Sequence, residues 1–287
     1  MTGISLSILL NILFLGGIYS LMTSGLSLIY GVMKIINFAH GDFIMIAMYM
    51  TFWICYLYGI DPYLTLIAVI PFMFIFGSIL EKGLINKTVG KGDEKQVFLT
   101  LGLSFLLENT ALVLWKGDYR TVSYSPTSVN IHGIYINVPR FYGFIGSLIV
   151  MISLYLFLKK TYIGKALRAT AQNKDAAALM GVNVDRMYLI AFGIGSMLAG
   201  IAGSLLIVYY YAYPTVGFYL GLLCYVIMVL GGIGSVLGSA VAGYIIAFIE
   251  QLSSIYISPG LKEAFLFGCF ILILLIRPTG LFGEKVS

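Results

Sequence analysis

Charge is what this sequence has least of. Asp, Glu, Lys and Arg make up 10% of its 287 residues, while 60% are hydrophobic. Soluble domains carry about 25% charged residues, and a mean hydropathy of +0.99 leaves too few polar groups to cover a water-facing surface. A soluble globular domain is thereby excluded, and the chain reads as an integral membrane protein. Cysteine is scarce as well. Cys55, Cys224 and Cys269 lie far apart, each within an apolar segment, which argues against a Cys-x-x-Cys metal or redox pair and for small hydrophobes in a packed interior. No basic segment precedes the apolar N-terminus MTGISLSILLNILFLGG, and its apolar run continues to about Gly31. It reads as a first span rather than as a cleavable signal.

Several chemistries are missing too. There is no G-x-x-x-x-G-K-[ST] phosphate loop, no H-E-x-x-H and no G-x-S-x-G elbow, so the chain shows no apparatus for ATP binding by that loop or for hydrolytic catalysis. Nor is there an arginine-rich voltage sensor or a TVGYG filter.

What is present is a series of apolar runs. A helix needs roughly 20 apolar residues to cross a bilayer, and candidates lie near 5–31, 42–58, 63–80, 97–116, 142–158, 187–211, 218–233, 236–256 and 263–277. The predicted fold is an all-α polytopic bundle of about eight or nine membrane segments, forming one domain over 1–287. The 218–233 segment runs into Gly231-Gly232-Ile233-Gly234, which predicts a half-helix and a backbone break near the bilayer midplane. Small residues recur every four positions in Gly195, Ala199, Gly203 and in Gly234, Gly238, Ala242, as expected where helix backbones approach closely.

Basic residues cluster in 81–96 and 159–186, whereas 117–141 holds only Arg120 and Arg140. The positive-inside rule places the first two segments in the cytoplasm and the third outside. Nine crossings then put the N-terminus outside. In the external loop, the alternation VNIHGIYINV predicts a small hairpin or an extended cap over the outer face, with His132 as a surface histidine.

Polar groups appear in three places where the run of apolar residues makes them costly. Asn37, His40, Gly41 and Asp42 fall between the first two spans, Glu108 and Asn109 inside the fourth, and Glu250 inside the eighth. Each has a bland reading: a turn between helices, an interhelical hydrogen bond, and a carboxylate near the external interface. The functional reading of all three is a solute path.

The stretch GKALRATAQNKDAAALMGVNVDR at 164–186 is too polar to span. Asn173 is a good N-cap, Asp175 suits the acidic first turn and Gly181 supplies the stop, with 164–172 a second short helix before it. An amphipathic helix resting on anionic lipid through Lys165, Arg168 and Lys174 is one reading. The apolar content is mostly alanine, which suits docking into a protein groove better.

Asn37-Phe38-Ala39-His40-Gly41-Asp42, the stretch Gly164 to Arg186, Leu230-Gly231-Gly232-Ile233-Gly234-Ser235 and Pro278-Thr279-Gly280 resemble, in order and along almost the whole chain, the permease subunits of bacterial branched-chain amino acid ABC importers of the LivH type. The resemblance implies a multi-pass protein of the plasma (inner) membrane working by ATP-driven alternating access. Its implied partners are a second related permease, two cytoplasmic ATPase subunits and an external substrate-binding protein, besides membrane lipid. No nucleic acid is implied, and no cofactor in this chain, ATP being bound by the partner subunits. Residues matching the ATPase-coupling element are Gly164, Arg168, Ala169, Asn173, Asp175, Ala177 and Gly181. Asn37, His40 and Gly41 match a motif close to the path. One departure is Glu108, where the family commonly has a neutral amide. The family's relatives include permeases for urea and short amides, so the substrate stays open. The competing expectation is an ion- or proton-coupled secondary carrier using Asp42, Glu108 and Glu250, for which a docking helix has no purpose.

Overall fold

The computed structural model describes residues 2–125, 128–131, 134–256, 260–277 and 279–283. His132 and Pro278 fall outside them. The described residues form eleven α-helices and one hairpin. Seven helices are long and apolar enough to cross a membrane, with Val216–Gly231 and Glu263–Ile276 as shorter apolar helices. The protein is a polytopic helical bundle.

Its axis is α1 (Thr2–Met33), which packs against α5 (Val138–Lys160), α8 (Val184–Leu206), α9 (Val216–Gly231) and α10 (Val236–Tyr256). α2 (His40–Tyr58) joins this inner group by packing on α8 and α9. α3 (Leu66–Leu80), α4 (Asp93–Trp115) and α11 (Lys262–Ile276) lie outside it and, with the outer face of α5, leave most of their apolar side chains at least partly exposed. Exposed apolar surface of that extent belongs against lipid or a partner helix.

The four-residue spacing of small side chains does what the sequence predicts. A Cβ on Gly195 would meet Ile29 of α1, and one on Gly203 would meet the Ile44 carbonyl of α2. With no hydrophobic drive between helices in lipid, such contact brings backbone polar groups and hydroxyls within reach. Ser20 Oγ donates to the Ala240 carbonyl at 2.6 Å, Thr51 Oγ1 to Ser204 Oγ at 2.8 Å, and the Ser27 and Ser239 hydroxyls bond to each other. Cys55, Cys224 and Cys269 are free thiols.

The two basic segments come to one end of the bundle. There, Lys34 after α1, the loop at 89–92 and Asn173 and Lys174 line one cavity of about 530 Å³. At the opposite end the hairpin forms as predicted, β1 (Ser128–Ile131) antiparallel to β2 (Ile134–Asn137) with Val129 opposite Ile136. Arg140 reaches Asn11 near the start of α1, and Tyr63 reaches the Pro139 carbonyl.

The glycine break between α9 and α10 is real but misplaced by the sequence reading. Gly232 and Gly234 have φ of +101° and +84°, yet Gly234 lies on Gly31, in the last turn of α1. The break sits at the basic end rather than at mid-depth. Its open backbone is satisfied by the C-terminal segment, where Leu281 N donates to the Leu230 carbonyl at 2.8 Å and Phe282 N to that of Gly231 at 3.1 Å.

Candidate functional site

The irregular backbone at depth lies elsewhere. α1 ends at Met33, and Lys34 takes a left-handed φ of +57°. Residues 34–39 then turn back along α1 without helical structure. His40, which opens α2, bonds through Nε2 to the Met22 carbonyl at 2.9 Å. Eleven residues of helix separate Met22 from Met33, so the chain has returned about 16 Å into the bundle. Asn37, Ala39, His40 and Asp42 are all buried. The turn-between-helices reading of this segment is therefore replaced by a re-entrant segment, and α2 begins well inside the bundle. Non-helical backbone at that depth is tolerated only where protein encloses it or it lines a cavity.

α9 starts at the same level. A Cβ on Gly41 would strike the Gly217 carbonyl and Gly221, and one on Gly217 would strike Asp42 Oδ1. The first turns of α2 and α9 thus touch backbone to backbone, which only glycine at 41 permits. Neither helix has a side-chain N-cap, at Ala39 or at Thr215; in α2 the amides of His40, Asp42 and Phe43 turn instead to the Asn37 and Ala39 carbonyls, and the positive ends of both helices face this junction. The Asp42 carboxylate is placed there, where two helix dipoles favour negative charge by up to about 2 kcal/mol each in a buried setting. The Asn37 amide beside it has no hydrogen-bond partner among the described residues.

The remaining path candidates divide. Glu108 and Ser104, one turn apart on α4, face Asp42, and Glu108 is half-buried. Asn109 is exposed and its amide donates to the Phe105 carbonyl of its own helix at 2.7 Å, so the interhelical hydrogen bond considered for this pair is not formed by Asn109. Glu250 is enclosed by protein. It is buried on α10, and Tyr19 of α1 donates to its Oε2 at 2.6 Å, one turn of α1 from the His40 contact. Tyr210 and Tyr219 are its electrostatic neighbours. The structure brings Asn37, His40, Gly41, Asp42 and Glu108 together and places Glu250 at a similar depth with a tyrosine partner.

The polar arm is built as two helices. α6 (Tyr162–Gln172) is capped by Thr161, whose hydroxyl accepts from Gly164 N at 3.0 Å. α7 (Lys174–Leu179) is capped by Asn173 Oδ1, which accepts from Asp175 N at 3.0 Å and Ala176 N at 2.9 Å. Gly181, with φ +83°, closes α7 by a Schellman pair: Val182 N donates to the Ala177 carbonyl at 3.0 Å and Gly181 N to that of Ala178 at 2.9 Å. Of the seven residues the resemblance matched to coupling, two are internal. Gly164 is buried against the Phe157 carbonyl and Leu158 of α5, and Ala177 is buried. Ala169 is half-buried, while Arg168, Asn173 and Asp175 are exposed.

Sequence reading missed the most prominent feature of the arm. Leu179 and Met180 are 89% and 85% exposed, at the tip of α7, where the alanines had drawn attention. The signal was an apolar pair immediately before a stop glycine. It also missed Glu81, a buried carboxylate in a π-helical turn (Glu81–Ile85) beside α8, because nothing local distinguishes it from the charges of the following loop.

Helices that begin inside a bundle beside buried polar groups, together with a capped polar arm between two long spans, define a membrane-embedded transport subunit. The chain belongs to the family described as "Branched-chain amino acid transport system / permease component", whose sequence model matches residues 8–274. It is 32% identical over 288 residues to the high-affinity branched-chain amino acid transport permease LivH of Escherichia coli K12, covering 94% of this chain and 92% of the relative. It is 29% identical over 293 residues to BraD of Pseudomonas aeruginosa, with 96% and 95% covered. Similarity extends to a probable LivH of Methanocaldococcus jannaschii, 30% over 287 residues, with 92% and 88% covered. No solved structure matches the chain. The family places the protein as a multi-pass inner-membrane permease component and favours that reading over a self-contained carrier.

Proposed function

We propose that this chain forms one half of the path of an ATP-driven importer for branched-chain and related hydrophobic amino acids. Its partners would be a second permease, two cytoplasmic ATPase subunits that bind all the ATP, and an external binding protein. The names of the relatives supply the substrate class. The observation that carries the coupled mechanism is the pair Leu179 and Met180, held out from a short helix whose two ends are fixed by Asn173 and Gly181. Fully burying two such side chains contributes about 1.5–3 kcal/mol each, enough to seat the arm in a groove of another subunit.

On this reading the solute passes along the side where α2, α4 and α9 meet. Its ammonium faces Asp42 and Glu108, and its carboxylate faces the uncapped helix starts, as half-helix ends do in other transporters. ATP-dependent closure of the ATPase pair pushes α7. The push reaches α5 and α8 directly, because α6 begins one residue after α5 and α8 follows α7 by a short capped turn at Asn183.

The test is leucine uptake by membrane vesicles energised with ATP and supplied with binding protein. Leu179→Asp combined with Met180→Asp is expected to abolish uptake and the co-purification of an ATPase, while leaving the melting temperature of the detergent-solubilised protein unchanged, since neither side chain contributes to its core. Full uptake in the double variant would rule the arm out as the coupling element. Uptake driven by a proton gradient from the lone chain would restore the carrier reading.

A further inference from the structure

α5 and α10 both pack on α1 but make no comparable contact with each other. A trough of about 400 Å³ remains between them. Ser27 and Gly31 of α1 form its floor, Met151 and Tyr155 of α5 one wall, and Leu237 of α10 the other. α6 closes it at the basic end of the bundle through Leu167. Toward the opposite end, the α10 wall continues along Val241, Tyr244 and Phe248, which line a second apolar hollow with Ile12. The opening is therefore long, apolar and parallel to the helices.

Its basic end carries charge of one sign. Lys159 and Arg168 both line the trough, and both are exposed. Lys159 folds over the Tyr155 ring at 5.4 Å, with Nζ donating to the tyrosine hydroxyl at 3.0 Å. No acidic side chain lines the trough, and among the described residues the only ion pair is Arg120–Asp118 at the other end. Two unneutralised cations at the head of an apolar channel that runs along the membrane normal complement an anion carrying a long apolar tail.

We propose that this trough is a binding site for an anionic phospholipid of the leaflet that meets the basic end. Its phosphodiester lies between Lys159 and Arg168 and one acyl chain lies along α1 toward Val241. The lipid braces α6 against α1 and α10. Because α6 carries the arm, its occupancy sets how stiffly the arm is held. This assignment stands on the trough alone and does not require the partner list given above.

The protein, with whatever subunits accompany it, is purified from native membranes in mild detergent and exchanged into nanodiscs of equal phosphatidylglycerol and phosphatidylcholine. After re-extraction, retained lipid is counted by native mass spectrometry. Wild type is expected to keep phosphatidylglycerol in preference to phosphatidylcholine. Lys159→Gln is expected to lower that retention about fivefold, the loss expected for one cation near an anionic headgroup. Leu237→Trp, which fills the trough without changing charge, lowers it as well, and Lys160→Gln leaves it unchanged. Equal retention of the two lipids by wild type, or equal loss from Lys159→Gln and Lys160→Gln, overturns the proposal. So does an assembly that keeps neither lipid and dissociates on Leu237→Trp, which would mean that another protein chain fills the trough.

Discussion

Gly41 stands where two helix starts are pressed together, and its missing side chain is what lets α2 lie on Gly217 and Gly221. Gly41→Ala is expected to destabilise the protein by about 1–3 kcal/mol, the usual cost of overpacking, read as a lowered melting temperature in detergent. Gly102→Ala on α4, which has open space around it, serves as the control and should melt at or above wild type. Equal melting of both variants would mean that the α2–α9 junction is looser than described. The cluster at 37–42 was legible because polar side chains stand out in so apolar a chain. Its depth was not, since it depends on His40 meeting a carbonyl of Met22, a contact that no local pattern announces. The pairing of Glu250 was hidden for the same reason: its partner Tyr19 lies on a helix at the other end of the sequence.

At the scale of elements, local rules succeeded wherever the determining groups are neighbours in sequence. The Asn173 cap, the Gly181 stop, the small hairpin and the short α9 all follow from residues within a few positions of each other. They failed for the glycine break, whose level is set by Gly31 of α1 and by the returning C-terminal segment. The arm gives a sharp prediction here. Gly181→Val forces a β-branched residue to a φ of +83°, at a cost of order 1–2 kcal/mol, in a six-residue helix with little stability of its own. Helix α7 should therefore fray, re-aiming Leu179 and Met180, while the spans on either side stay folded. Backbone amide exchange at 174–182 is expected to rise with no change at 190–204, and ATP-driven uptake to fall. Unchanged exchange in the arm would show that α7 is held by contacts other than its Schellman closure.

The molecule as a whole is organised by distance along α1. From its basic end outward, α1 meets Gly234, then Gly195 and His40, then Glu250, then Arg140 beside the hairpin. His40 and Glu250 thereby take their depths from that single helix. The two basic segments share one end and the hairpin the other, an arrangement reached through contacts rather than through charge counting. The positive-inside rule then gives the molecule a direction, with the arm in the cytoplasm and the hairpin outside. Single cysteines at Lys174, exposed beside the Asn173 cap, and at Val129, 40% exposed in β1, test it against the background of the three native thiols. A membrane-impermeant maleimide should label Lys174→Cys only in inside-out vesicles and Val129→Cys only in right-side-out ones. The reverse pattern would put the arm outside, beyond the reach of any cytoplasmic ATPase, and the coupled mechanism would fall with it. Labelling of both sites from one side would mean instead that the two ends are not separated by the membrane, which the length of α1 does not allow: its 32 residues extend about 48 Å, against a hydrocarbon core of about 30 Å.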